Sequence, residues 1–152
     1  MATLLDPAFA FGFANNFGLF AWAALLLSLF VPKVRDFVWP ATQYAIPLAW
    51  AALYVILLAQ GLPEAKGGFD SIEGVRGLFA NDSALAAGWL HYLAFDMFVG
   101  TWIARDSVDR GVHALLVAPC LALTLMFGPA GLLAYVLLRA AFARSAETES
   151  AK

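Results

Sequence analysis

The stretch "GWLHYLAFDMFVGTWIARD", residues 88–106, decides the fold class of this chain. It is mostly apolar over about the 20 residues that a helix needs to cross a bilayer, yet it contains His91 and Asp96. A carboxylate several turns inside a membrane helix is costly and usually has a functional role. We therefore interpret this stretch as a membrane helix that carries a site.

The composition of the whole chain also favours a membrane protein. Its 152 residues are 62% hydrophobic and 13% charged, with a mean hydropathy of +0.78, which leaves too little polar surface for a soluble domain. The net charge of -2 provides no basic region for nucleic acid. The single cysteine, Cys120, excludes an internal disulfide.

The first apolar segment is predicted to be retained as a membrane helix, because no basic residue precedes it as a secretory signal requires. We expect an integral protein of a bacterial inner (cytoplasmic) membrane. The predicted fold is all-α, a single domain over 1–152 with four transmembrane helices in a bundle. The predicted helices are 15–31, 39–60, 83–104 and 112–138, before a disordered tail at 143–152.

Proline and glycine mark two features of this predicted bundle. The sequence "GPAG" at 128–131 is expected to kink the fourth helix. The loop at 61–83 carries apolar residues every three to four positions, which predicts a short amphipathic helix in the membrane interface. Asp70 and Glu73 resemble a capping box for it.

Basic residues are nearly balanced between the two sides of the bundle, so the positive-inside rule leaves the orientation open.

Polar and aromatic side chains of these helices form the predicted site. Asp96 and His91 are the predicted catalytic residues, about 140° apart around the third helix. Burial among apolar side chains favours the neutral carboxyl, which can donate a proton. The predicted ligand-binding residues are Trp89, Tyr92, Gln43, Trp50, Tyr54, Asn16, Arg105 and Asp106. Aromatic walls with a few polar groups suit a large apolar ligand.

Structural alternatives exist for several of these residues. Asn16 is also placed to cap the first helix, and His91 to donate a hydrogen bond between helices. The charged sequence "RDSVDR" at 105–110 is also typical of a solvated turn between helices 3 and 4. Trp and Tyr near helix ends, such as Trp39 and Tyr135, often act as interface anchors. The two histidines and their spacing predict no metal site.

The motifs themselves resemble a known family. The opening stretch extended to "GWLHYLAFDMFVGTWIARDS", "PCLALTLMFGPAGLL" at 119–133 and "FANNFGLFAWAALLLSLFVP" at 13–32 are similar to the ABA4-like family of small membrane proteins. Plant members are implicated in making neoxanthin from violaxanthin, the isomerisation of a carotenoid epoxide to an allenic alcohol. Because this chain lacks a plastid transit peptide, it looks like a bacterial-type member. For such a member the resemblance implies a polyene ligand more strongly than it implies any particular reaction.

We therefore expect a membrane-embedded carotenoid or retinoid isomerase that uses acid/base chemistry and no cofactor. Its expected partners are a carotenoid or retinoid ligand and membrane lipid, with no nucleic acid, and a homo-oligomer is compatible with the sequence. Two alternatives remain open. One is a non-catalytic carotenoid-binding or pigment-assembly protein, and the other is a proton-coupled carrier that uses Asp96 as its proton site.

Overall fold

The computed structural model describes the backbone of residues 5–150 and the side chains of residues 5–142. Within this part the chain is all-helical and contains no strand. The elements are α1 (Pro7–Phe30), a 3-10 turn (Pro32–Val34), α2 (Arg35–Pro40), a π-helical turn (Ala41–Ala45), α3 (Ile46–Gly61), α4 (Ile72–Leu78), α5 (Asp82–Asp109), α6 (Ala114–Phe127) and α7 (Pro129–Ser150). The predicted disordered tail at 143–152 lies outside the described side chains.

The chain divides into two compact units, Met1–Phe20 with Ala45–Phe95 and Ala21–Tyr44 with Asp96–Lys152. We call them the first and the second unit. In the first unit Leu57 and Leu90 are fully buried, and in the second unit Leu25, Met97 and Ile103 are. Each unit therefore has an apolar core of its own.

Helix α1 begins a full two turns earlier than the sequence predicts. The Asp6 carboxylate accepts a hydrogen bond from Phe9 N at 2.8 Å, and Pro7 occupies the first helical position, where its missing N–H is harmless. Asn16 consequently lies inside the helix, where its amide donates to Gly12 O at 2.9 Å. The interpretation of Asn16 as a helix cap is wrong.

The segment Pro32–Gly61 runs as one continuous helical stretch through the π-helical turn. In a regular helix the ring of Pro47 would clash with the carbonyl of residue 43. That carbonyl would also lack its usual hydrogen bond, because proline has no backbone N–H to donate. A wider turn just before the proline relieves this mismatch, and it places Thr42 and Gln43 in the interior. Such turns are rare and often occur at functional sites.

Two helical segments of the described chain, Pro7–Phe30 and Pro32–Gly61, are long and apolar enough to cross a membrane. They suggest that the protein associates with a membrane. Helix α5 continues to Asp109, so the sequence "RDSVDR", expected to form a turn, is helical over most of its length. Asn81 caps α5 by accepting from Ser83 N and Ala84 N at 3.0 and 3.1 Å.

The segment predicted as one kinked helix at 112–138 is two helices that fold back on each other. Gly128, at a φ of +38° that other residues rarely adopt, ends α6. At position 131 a Cβ atom would overlap the Thr124 backbone. Gly128 lies against Asp96, whereas Tyr135 reaches Asp106. Helix α6 therefore runs antiparallel to α5 and α7 runs parallel to it, so the two form a hairpin with its tip at Asp96.

Candidate functional site

His91 lies at a cavity of about 250 Å³ in the first unit. The other lining residues come from α3, from α4 and its flanks, and from α5, and they are Tyr54, Leu58, Phe69, Leu78, Phe79, Ala84 and Gly88. The imidazole centroid lies 5.7 Å from the Tyr54 ring and 4.6 Å from the Phe95 ring. The cavity thus combines an apolar, largely aromatic wall with one imidazole and one phenol.

The loop at 61–83 supplies the wall of this cavity that faces α5. The short helix expected there is present as α4, and its interfacial position stays a prediction. Ser71 caps it, accepting from Gly74 N at 3.0 Å, in place of the predicted capping box. Phe79 follows α4, and its ring lies on α5 at Gly88, where a Cβ atom would be 2.7 Å from Phe79 Cε1. Glycine at position 88 therefore lets the aromatic ring close the cavity.

Other predicted ligand-binding residues of the first unit lie away from this cavity. Trp89 stacks on Tyr92 with ring centroids 5.2 Å apart, and Phe11 contacts the same indole at 5.4 Å. Trp50 is buried, and its ring lies against α1 at Gly18. Tyr54 is thus the predicted ligand-binding residue that shares the cavity with His91.

Asp96 belongs to the second unit, whereas His91 belongs to the first. The Asp96 side chain is 9% exposed and lies at the tip of the α6–α7 hairpin. A Cβ atom at position 128 would be 2.6 Å from Asp96 Oδ1. The carboxyl group therefore lies against the turn that joins α6 to α7.

Asp106, predicted to bind ligand, is engaged by side chains of the second unit itself. Its Oδ2 accepts hydrogen bonds from Tyr135 Oη at 2.6 Å and from Arg110 Nε at 2.8 Å, and Arg139 Nη1 lies 3.4 Å away. Burial raises the pKa of Asp106, but the hydrogen bonds from Arg110 and Tyr135 and the charge of Arg139 outweigh it, so the pKa lies below its ordinary value.

The predicted residues Gln43 and Arg105 do meet in the second unit. Arg105 Nη1 donates to Gln43 Oε1 at 2.6 Å. The Arg105 guanidinium also lies over the Trp39 ring, as does that of Arg35. Sequence reasoning missed Arg35 and took Trp39 only for an interface anchor, although the two are four residues apart. The contact of Trp39 with Arg105 spans 66 residues, and no local pattern indicates it.

Among the described side chains, 5–142, no three His, Cys, Asp or Glu residues are grouped so that they could hold a metal ion. His113, the second histidine, is exposed and caps α6 by accepting from Leu115 N at 3.3 Å. The polar side chains that line the cavity are those of His91 and Tyr54.

Comparison with known proteins gives one match. No curated protein and no solved structure is significantly similar to this chain. A family model described as ABA4-like: ABA DEFICIENT 4-like matches residues 9–135, which include the cavity residues, Asp96 and the turn between α6 and α7. Membership of this family suggests a carotenoid-related membrane protein. Because the match covers most of the sequence, the chain belongs to the ABA4-like family.

Proposed function

We propose that this protein is a membrane-embedded isomerase of carotenoids or retinoids that works by acid/base chemistry without a redox cofactor. The observation that supports this most directly is the position of His91 at an apolar, aromatic-walled cavity. A polyene end group fits such walls, and an imidazole is the side chain best suited to move a proton near neutral pH. The family membership supports the same ligand class.

We propose a location in a bacterial inner membrane for this protein. Helix α1 and the Pro32–Gly61 segment supply two crossings, the apolar part of α5 supplies a third, and the α6–α7 hairpin occupies the place of the predicted fourth. Large apolar side chains such as Phe20, Leu48 and Phe95 are 61–77% exposed. Such exposure is rare on soluble monomers and ordinary for surfaces that face lipid.

The size of the cavity indicates which part of the ligand it holds. About 250 Å³ is below the roughly 300–1,000 Å³ of pockets that enclose a drug-sized ligand. An end ring therefore fits, while the rest of a long polyene would lie outside the cavity among lipid. The Tyr54 hydroxyl and the His91 imidazole are the polar groups available to an oxygen on that ring.

An isomerisation needs no net gain or loss of protons, so one imidazole is sufficient. For an epoxide, neutral His91 takes a proton from carbon, the C–O bond breaks as the new double bond forms, and the imidazolium returns the proton to oxygen. For a cis–trans change, the imidazolium protonates the polyene, the bond rotates in the cation, and the imidazole takes the proton back.

Pigment analysis tests the role of His91. The full chain, expressed in a carotenoid-producing bacterial host, should yield a new isomer on chromatography, and His91→Ala should lower its amount by about 10²- to 10⁴-fold. His113→Asn is the matched control, because it removes the other histidine, outside the cavity, and retains a helix-capping side chain. Normal conversion by His91→Ala would show that the site is elsewhere.

The same assay tests whether Asp96, which lies in the second unit, takes any part in the reaction. Asp96→Asn keeps the size of the side chain and removes its acid function, so we expect conversion to fall at least tenfold if the carboxyl takes part. Thermal unfolding of the purified variant shows whether the change also affects folding. A folded variant with normal conversion would remove Asp96 from the mechanism and leave His91 in it.

A non-catalytic pigment-binding protein is the second candidate. The aromatic rings of Tyr54 and Phe95 beside His91 suit packing against a flat ligand, whether or not a reaction takes place there. In that case pigment should co-purify with the protein while the pigment profile of the host stays unchanged. His91→Ala would then weaken pigment retention without altering any isomer ratio.

A further inference from the structure

Two arginines of the second unit share one tryptophan ring. The guanidinium carbons of Arg35 and Arg105 lie 5.4 and 5.7 Å from the centroid of Trp39. Both side chains are half-buried. Within the described side chains neither arginine pairs with a carboxylate, whereas Arg110 and Arg139 share Asp106.

The end of α1 fixes one side of this cluster. Arg35 Nε donates to Ser28 O at 2.9 Å and Arg35 Nη2 donates to Leu29 O at 3.1 Å. Trp39 Nε1 donates to Ser28 Oγ at 3.0 Å. The guanidinium and the indole are therefore both held against the last turns of α1, and their geometry is set before any ligand arrives.

The π-helical turn fixes the other side. It holds Gln43, which is 8% exposed, so that its Oε1 accepts from Arg105 Nη1 at 2.6 Å. Every acceptor used by Arg35 and Arg105 is thus a neutral oxygen. Two partly desolvated cations whose acceptors are all neutral are costly, and each guanidinium keeps further N–H donors beyond those in use.

We propose that Arg35, Trp39 and Arg105 form a binding site for a phosphate group. Guanidinium N–H forks match phosphate oxygens, and a phosphate has enough oxygens for two arginines to share. The group would supply the anion that the cluster lacks. Its two possible sources are the headgroup of an anionic lipid and a soluble phosphate ester. This site does not depend on the proposed isomerase activity.

Binding experiments on the purified full chain test this site. Phosphatidylglycerol and glycerol 3-phosphate are titrated separately, with bound lipid counted by native mass spectrometry and the thermal shift recorded for both. The double variant Arg35→Gln/Arg105→Gln should bind the effective ligand about tenfold more weakly, since charge-assisted hydrogen bonds are lost. Lys66→Gln/Arg76→Gln is the control, because it removes the same charge from exposed positions of the first unit.

The outcomes distinguish the two possible sources of the phosphate, and they also show whether the site exists. Response to phosphatidylglycerol alone assigns a lipid headgroup, and response to glycerol 3-phosphate assigns a soluble ester. Arg105→Lys, which keeps the charge without the fork, should bind with intermediate affinity and provides the test if the double variant does not fold. If wild type binds neither ligand, or if Arg105→Lys and the double variant bind like the control, the site does not exist.

Discussion

His91 in the first unit and Asp106 in the second are held in opposite ways. The contacts of His91 are aromatic rings around a cavity, whereas Asp106 is bound by a phenol and two guanidiniums. Rings pack without strict direction, but hydrogen bonds to a carboxylate fix each partner. The first unit thus leaves room for a ligand at His91, whereas Asp106 holds helices of the second unit together.

The largest expected effect is on the hairpin of the second unit. Gly131→Ala places a Cβ atom against the Thr124 backbone, which cannot move aside, and we expect the free energy of unfolding to fall by about 3 kcal/mol. Denaturant unfolding in detergent measures it. Gly12→Ala is the control, because nothing lies within 4 Å of its Cβ position. Equal stability of Gly131→Ala and wild type would contradict the close α6–α7 packing.

The next effect tests whether Asp106 is a structural centre. Asp106→Asn removes the charge that binds Arg110 and Arg139, so we expect a loss of about 2 kcal/mol in unfolding free energy. Asp109→Asn, at an exposed position, is the control. Similar losses in both variants would show that Asp106 contributes no more than a surface charge.

The pH dependence of stability follows from the lowered pKa of Asp106. Its stabilising contribution is fully present above the unfolded-state pKa of about 3.9 and is lost as the pH falls through the lower folded-state value. Below about pH 4 wild type should therefore lose stability more steeply than Asp106→Asn. Thermal unfolding from pH 3 to 7 measures both, and parallel curves would contradict the assignment.

The smallest expected effect on stability lies at the cavity of the first unit. Gly88→Ala meets only the tip of the Phe79 side chain, which can turn. Alanine is also the better helix former, so the unfolding free energy should change by less than about 1 kcal/mol. The cavity becomes smaller, however, and conversion or pigment retention should fall severalfold. A large loss of stability would show that this cavity is as rigid as the hairpin.

The sequence predicts the helical class, because long apolar runs are a local signal. Polar side chains on apolar helices mark Gln43, Arg105, Tyr54 and His91 as candidate site residues, but the sequence does not indicate which of them meet. The reversal at Gly128 could not be predicted, because it depends on a contact with a distant residue, Asp96. The hydrogen bond between Asp106 and Tyr135 could not be predicted for the same reason, since Tyr135 lies 29 residues away.

The hairpin also changes the sidedness of the chain. A helix pair that turns back at Asp96 stops partway along α5, so α7 leads the chain back to the end of α5 that carries Arg105 and Arg110. With four full membrane crossings, the last helix would have ended at the opposite end of α5. Arg139 therefore joins Arg35, Arg105 and Arg110 at one face of the second unit. In the bacterial inner membrane that we propose, the positive-inside rule predicts that this face is on the cytoplasmic side.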